Sequence, residues 1–168
     1  MANIVAKLLV LAAATSLLSV AAATSVAVGE RAPDFALQSL EGTNLRLSEF
    51  RSEVVVLNFW APWCNKCRDT LQSLDTLYRD HQADGLQVLA VGIEKDPEHA
   101  RELISELRTT FPVVTDGKKS RVSRLYDLGK LPLTIVIDRE GNVRHVHEGG
   151  KRNNFQQIQA QVSALLTE

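Results

Sequence analysis

The apolar positions of this chain follow two periods that alternate along it. Val54-Val55-Val56-Leu57-Asn58-Phe59 is short, continuous and β-branched, which predicts a buried strand. Leu86 to Gly92 and Leu133 to Ile137 repeat that pattern. Between these runs, Leu71, Leu74, Leu77 and Tyr78 recur at helical spacing. Ala100, Leu103, Ile104 and Leu107 do the same, behind Asp96 as N-cap and Pro97 at the first helical position. Asp138-Arg139-Glu140-Gly141-Asn142 reads as a turn into Val143 to His147, so the third strand and this segment should form an antiparallel hairpin. Phe155, Ile158, Val162 and Leu165 predict a final amphipathic helix, and Phe35 to Leu47 one or two short strands around Glu41-Gly42. Strands alternating with helices and ending in a hairpin predict one α/β domain. Its central mixed sheet has four or five strands and helices on both faces, a three-layer sandwich.

The first residues follow a different pattern. Met1 to Lys7 carries one basic side chain, Leu8 to Ala23 is apolar and uncharged, and small residues follow. Ala21-Ala22-Ala23 and Ser25-Val26-Ala27 both fit a small-x-small cleavage rule. Residues 1–27 are therefore expected to be a signal peptide or an N-terminal membrane anchor, with the folded domain at 28–168. The Ala, Ser and Thr content favours cleavage over a retained span. Either reading places the domain outside the cytoplasm, in an exported, periplasmic setting.

Composition narrows the partners only a little. The 168 residues are 45% hydrophobic and carry 19 basic against 20 acidic side chains, for a net charge of −1. No basic stripe suggests nucleic acid.

Cysteine usage points to chemistry. The chain has two cysteines, Cys64 and Cys67, three positions apart. A bridge between them closes almost no loop, so it would constrain the unfolded chain very little as a structural staple. They follow a buried strand and open a helix, where residues three apart share a face and can meet disulfide geometry. Cys64, at the helix N-terminus, sits where unpaired N–H groups and the macrodipole favour a thiolate. Lys66 adds positive field, and Cys67, a turn deeper, can resolve a mixed disulfide. Half of a zinc site is the competing reading, but zinc needs further ligands and no second cysteine pair exists.

The segment Asn58-Phe59-Trp60-Ala61-Pro62-Trp63-Cys64-Asn65-Lys66-Cys67 resembles the active-site segment of thioredoxin-like proteins, in particular the TlpA-like branch of exported thiol–disulfide oxidoreductases. Ala32-Pro33-Asp34-Phe35-Ala36-Leu37 is similar to that branch's N-terminal segment, Leu86 to Ile93 to its next strand, and Leu131-Pro132-Leu133-Thr134 to its cis-proline loop. The likeness spans residues 31 to 166. It implies a thioredoxin-like fold and a cis bond before Pro132, with Pro132 facing the cysteines. It also implies that the Leu131 backbone is free to pair with an extended substrate, and that Trp63 covers the thiol surface. Protein thiols and disulfides become the partners, a membrane-bound reductant the electron donor, and no cofactor or metal is required.

The departures from the pattern also matter. Many thioredoxins carry a buried Asp where Asn58 stands, and the TlpA-like branch often carries a Glu at the place of Thr70. Neither residue here can take a proton from Cys67, so exchange should be slower or more pH-dependent than in relatives with the carboxylate. Asp69 is expected on a solvated helix face. Lys130 and Leu133 replace residues more often small or hydroxylated, so substrate preference is not carried over. The alternative function is a copper-binding chaperone using Cys64, Cys67 and a histidine, with His145 and His147 on one face of a strand. A solvated strand face is the simpler expectation for them. A peroxidase of peroxiredoxin type would need Thr where Ala61 stands.

Overall fold

Strand β3 (Val54–Trp60) is buried at every position, because it lies in the middle of a five-stranded sheet. The computed structural model describes residues 26–168, so the expected signal or anchor at residues 1–27 lies almost wholly outside the described residues. Parallel to β3 runs β4 (Leu86–Gly92), reached through helix α1 (Asn65–His81). β5 (Val113–Thr115) extends the sheet beyond β4, again in parallel, after helix α2 (Pro97–Leu107). On the other side of β3, β6 (Leu133–Ile137) and β7 (Val143–Glu148) pair antiparallel, giving the order β5-β4-β3-β6-β7. Helix α4 (Asn154–Leu166) closes the chain.

The alternation of side chains along β3 divides the core into two layers. Val54, Val56 and Trp60 pack with Leu71, Leu74 and Leu77 of α1, and with residues of α2 and α4. Val55, Leu57 and Phe59 face the opposite layer, which holds Phe35, Leu47, Val122 and Tyr126. That layer consists of short helix α3 (Arg121–Leu125) and the N-terminal segment. The segment carries a separate hairpin of β1 (Ala36–Gln38) and β2 (Asn44–Arg46). The fold is thus the expected three-layer thioredoxin-like sandwich.

Two elements had no prior signal in the pattern. β5 is three residues long, and α3 is five residues with a single fully buried apolar position, Val122. Tertiary contacts hold them. Buried Asp116 accepts from the backbone N–H of Val122 at 3.0 Å and of Ser123 at 2.7 Å, and Tyr126 donates to the Pro33 carbonyl at 2.6 Å. Helix α1 is fastened at mid-length by buried Asp75, which accepts from the Thr110 N–H at 2.6 Å and its hydroxyl at 2.9 Å. Among the described residues, no helix is long and apolar enough to cross a membrane.

Candidate active site

The β3–α1 junction sets the position of both cysteines. After Trp60 the chain turns through Ala61-Pro62-Trp63, and the Cys64 N–H donates to the Ala61 carbonyl at 3.0 Å. Cys64 is the N-cap of a 17-residue helix, and the Cys67 N–H donates back to its carbonyl at 3.0 Å. Their Cα atoms lie 5.3 Å apart and the two sulfurs are bonded. Cys67 is fully buried in the α1 layer of the core, whereas Cys64 is partly exposed at its edge. This asymmetry gives an accessible sulfur for attack by or on a substrate, and a protected one behind it.

The other residues singled out from the sequence divide into three groups. The Leu131–Pro132 peptide is cis, Pro132 is buried, and Leu131 packs against the core cluster that holds the cysteines. Among the described residues no backbone hydrogen bond engages Leu131, while the Pro132 carbonyl accepts from the Gly149 N–H at 2.8 Å. Trp63 is 66% exposed at the mouth of the pair, in contrast to the fully buried Trp60. Lys66 lays its stem across Gly150 and donates from Nζ to the Gly150 carbonyl at 3.0 Å.

Asn58 is fully buried, on the face of β3 shared with Val56 and Trp60, and so on the Cys67 side of the sheet. It donates through Nδ2 to Thr134 Oγ1 at 2.9 Å. Its Oδ1 has no partner. Thr70 donates to the Lys66 carbonyl at 3.0 Å. The buried carboxylates among the described residues, Asp75, Asp116 and Asp138, are all occupied with backbone N–H groups in caps and turns elsewhere. No buried carboxylate therefore serves the Cys67 thiol. Arg68, beside Cys67 in sequence, makes a bidentate pair with Glu106 of α2 at 2.7 and 3.1 Å. That hydrogen bond and the Arg68 charge hold the exposed Glu106 carboxyl below its ordinary range.

The histidines belong to another environment. His145 and His147 stand opposite Val136 and Thr134 in the β6–β7 register, and both are half-buried rather than on a solvated face. His147 Nε2 is 2.7 Å from Gln161 Oε1 of α4, which accounts for the difference. Burial first, then the neighbouring His147 and Arg144, hold His145 below its ordinary pKa. Among the described residues no three His, Cys, Asp or Glu side chains gather as a metal-ligand set, so these histidines do not join the cysteines. Ala61 is fully buried and offers no hydroxyl to Cys64.

The spacing of residues gave no hint of the Gly149-Gly150 loop, or of Lys151 and Arg152 behind it, and Thr134 entered only as the end of the cis-proline motif, without its bond to Asn58. All of these border the site. Gly150 lies 84 positions from Lys66, and Thr134 lies 76 from Asn58. An adjacent glycine pair between a strand and a helix was the one local sign that a backbone approaches something closely there.

Comparison with known proteins agrees with this geometry. Residues 28–146 match the AhpC/TSA family. The chain is 37% identical over 126 residues to the thiol-disulfide oxidoreductase ResA of Geobacillus thermodenitrificans, covering 75% of this chain and 72% of that protein. It is 33% identical over 124 residues to the thioredoxin-like protein YneN of Bacillus subtilis, covering 72% of this chain and 71% of that one. A crystal structure from Chlorobium tepidum, provisionally assigned as the thiol:disulfide interchange protein DsbE, superposes with a TM-score of 0.80 at 32% identity. That alignment covers 84% of this chain and 99% of the other.

Proposed function

This chain belongs to the AhpC/TSA family and is a thiol–disulfide oxidoreductase; from that premise we propose that it reduces disulfides of substrate proteins outside the cytoplasm. The observation that carries the reading is the Cys64–Cys67 disulfide at the N-terminus of α1, beside a cis-proline loop whose Leu131 backbone is unpaired. In the reduced state the helix N-terminus stabilises a thiolate on Cys64. A substrate strand pairs with the Leu131 backbone, which brings its disulfide to that sulfur. The thiolate attacks one substrate sulfur, the substrate S–S bond breaks, and a mixed disulfide forms as the first substrate thiolate leaves and takes up a proton. Cys67 then gives up its proton and attacks the Cys64 sulfur. The mixed disulfide breaks, the second substrate thiol departs, and the Cys64–Cys67 bond closes. Two electrons pass from the pair to the substrate, whose two thiolates take up the Cys67 proton and one from solvent, and an external dithiol, here proposed to be membrane-bound, restores the electrons.

The reducing direction is supported by how little beyond the helix N-terminus and the general field of Lys66 stabilises the thiolate. A dithiol becomes a strong oxidant when its reduced form is held unusually well. Here the cation between the cysteines, Lys66, is engaged by the Gly150 carbonyl, and the histidines lie elsewhere. An extracytoplasmic location is supported by the apolar stretch from Leu8 to Ala23, read as a signal or anchor.

Trapping tests the assignment of roles. Cys67→Ser mixed with a disulfide-bonded protein should accumulate a covalent adduct that dithiothreitol releases. Cys64→Ser should accumulate none. An adduct through Cys67 in the Cys64→Ser protein, and none through Cys64, would reverse the roles.

A further inference from the structure

A groove of about 400 Å³ opens beside the redox pair, between the start of α1, the cis-proline and the loop that leads into α4. Pro132 and Phe155 contribute apolar wall. Its charged lining is unbalanced. Lys66, Lys151 and Arg152 face one carboxylate, Asp69, in a chain whose overall charge is −1. Among the described residues, none of these three cations makes an ion pair with a carboxylate, although many other arginines do. Lys151 and Arg152 are exposed. Lys66 uses one of its three ammonium donors on the Gly150 carbonyl, which leaves two for a ligand.

The loop that presents these cations is held in place. Asn154 donates through Nδ2 to the Gly149 carbonyl at 2.6 Å, and the Gly149 N–H donates to the Pro132 carbonyl at 2.8 Å. A Cβ on Gly150 would lie 2.7 Å from Lys66 Cδ and 2.8 Å from its Cβ, so only glycine lets the lysine stem lie so close. The loop backbone and Lys66 are thus positioned before a substrate arrives, which reduces the ordering cost of binding. A substrate strand laid along Leu131 advances about 3.3 Å per residue. Side chains two or three positions from its reacting cysteine therefore reach the groove next to Pro132.

We propose that this groove binds an acidic segment of the substrate polypeptide, so that the protein prefers disulfides whose cysteine is flanked by Asp or Glu. The inference rests on the reductase reading and adds the substrate class to it. Lys66, Lys151 and Arg152 are the specificity-determining residues; Asp69, the one carboxylate in the lining, offsets part of their charge.

The test uses the protein with its own Cys pair, reduced, and three disulfide peptides of equal length. Two positions beside the reacting cysteine hold Glu in one peptide, Gln in the second and Lys in the third. At low salt the second-order rate constant for single-turnover reduction should be about tenfold higher for the Glu than for the Gln peptide, the sum expected from two or three exposed ion pairs, and lowest for Lys. High salt should erase the preference, and a Lys151→Gln/Arg152→Gln double variant, which keeps only Lys66, should bring the Glu-to-Gln ratio down to about two. Equal rates for all three peptides, or a ratio undiminished in the double variant, overturns the proposal. No turnover of even the Gln peptide would overturn the reductase reading instead. The groove is then judged by binding alone, with the reacting cysteine of the Glu peptide replaced by Ser: binding that the double variant loses upholds it, and no binding ends it.

Discussion

Asn58 reaches across the β3–β6 ladder to Thr134, donating at 2.9 Å from a fully buried amide whose oxygen has no partner. The pair lies on the Cys67 side of the sheet, and neither member titrates. Among the described residues no buried carboxylate is free to take its proton, so the fully buried Cys67 thiol must ionise without a side-chain base. Exchange in the native protein should therefore rise about tenfold per pH unit below the thiol pKa, which is about 8.5 for a free cysteine. Stopped-flow rates that stay flat across neutral pH would contradict this.

Asn58→Asp should restore a buried acceptor and at the same time cost stability. Burial raises the folded pKa of such an Asp above its unfolded value of about 3.9. Its protonated form is tolerated, so the variant should match the parent below about pH 4 and lose stability as pH rises through the raised folded pKa. A loss of roughly 2 kcal/mol at pH 8 is the scale for a buried, poorly paired polar group. The check is a set of denaturant midpoints between pH 4 and 8, alongside a faster resolving step.

The two buried strands, the hairpin and three of the four helices were legible because their periods are long and unbroken. Asp96 and Pro97 also announced the start of α2, where Asp96 accepts from the Glu98 N–H at 3.0 Å. β5 and α3 were not legible, since three and five residues hold too little of either period, and buried Asp116 and Tyr126 fix them from a distance. The same limit applies to the site. Cys64 and Cys67 declare themselves through local spacing and context. Thr134, Gly150, Lys151 and Arg152 join them only through the order of strands, which one sequence does not print.

Gly150→Ala should disturb the active-site helix from a loop 84 positions away. The added methyl meets Lys66 Cβ, which is close to the helix backbone and cannot swing aside as a chain end would. Overpacking of this size costs about 1–2 kcal/mol, or a few degrees in Tm. Scanning calorimetry on the variant checks it, and an unchanged Tm would show that the loop yields freely.

Because Asp75 is buried where α1 meets the segment after α2, Asp75→Ala should be damaging. It removes the acceptor for the Thr110 N–H and hydroxyl and one partner of Arg79, at 3.1 Å. Donors left unsatisfied at a partly buried site cost about 1–3 kcal/mol. Urea unfolding gives the value, and Asp75→Asn should recover part of it because the amide oxygen still accepts.

Asp34 should contribute to acid stability. Burial pushes its carboxyl up, but hydrogen bonds from Arg46 at 2.7 Å and from the Ser48 N–H and hydroxyl at 3.0 and 3.1 Å, with the Arg46 charge, bring it below its ordinary value. A lowered folded pKa stabilises above the unfolded value, about 3.9, and that stabilisation disappears as pH falls through the folded one. Because the side chain is 36% exposed, the effect should be only about 0.5–1 kcal/mol. The Asp34→Asn and native proteins should thus differ in Tm at pH 7 and converge near pH 2.

The reduction potential of the Cys64–Cys67 pair tests the account most directly, measured by equilibrating the protein in glutathione and dithiothreitol buffers and reading Trp63 fluorescence. A reversible two-electron transition near the thioredoxin value, about −270 mV, is the predicted result. A value near −120 mV would make the protein a donor of disulfides and contradict the reducing direction.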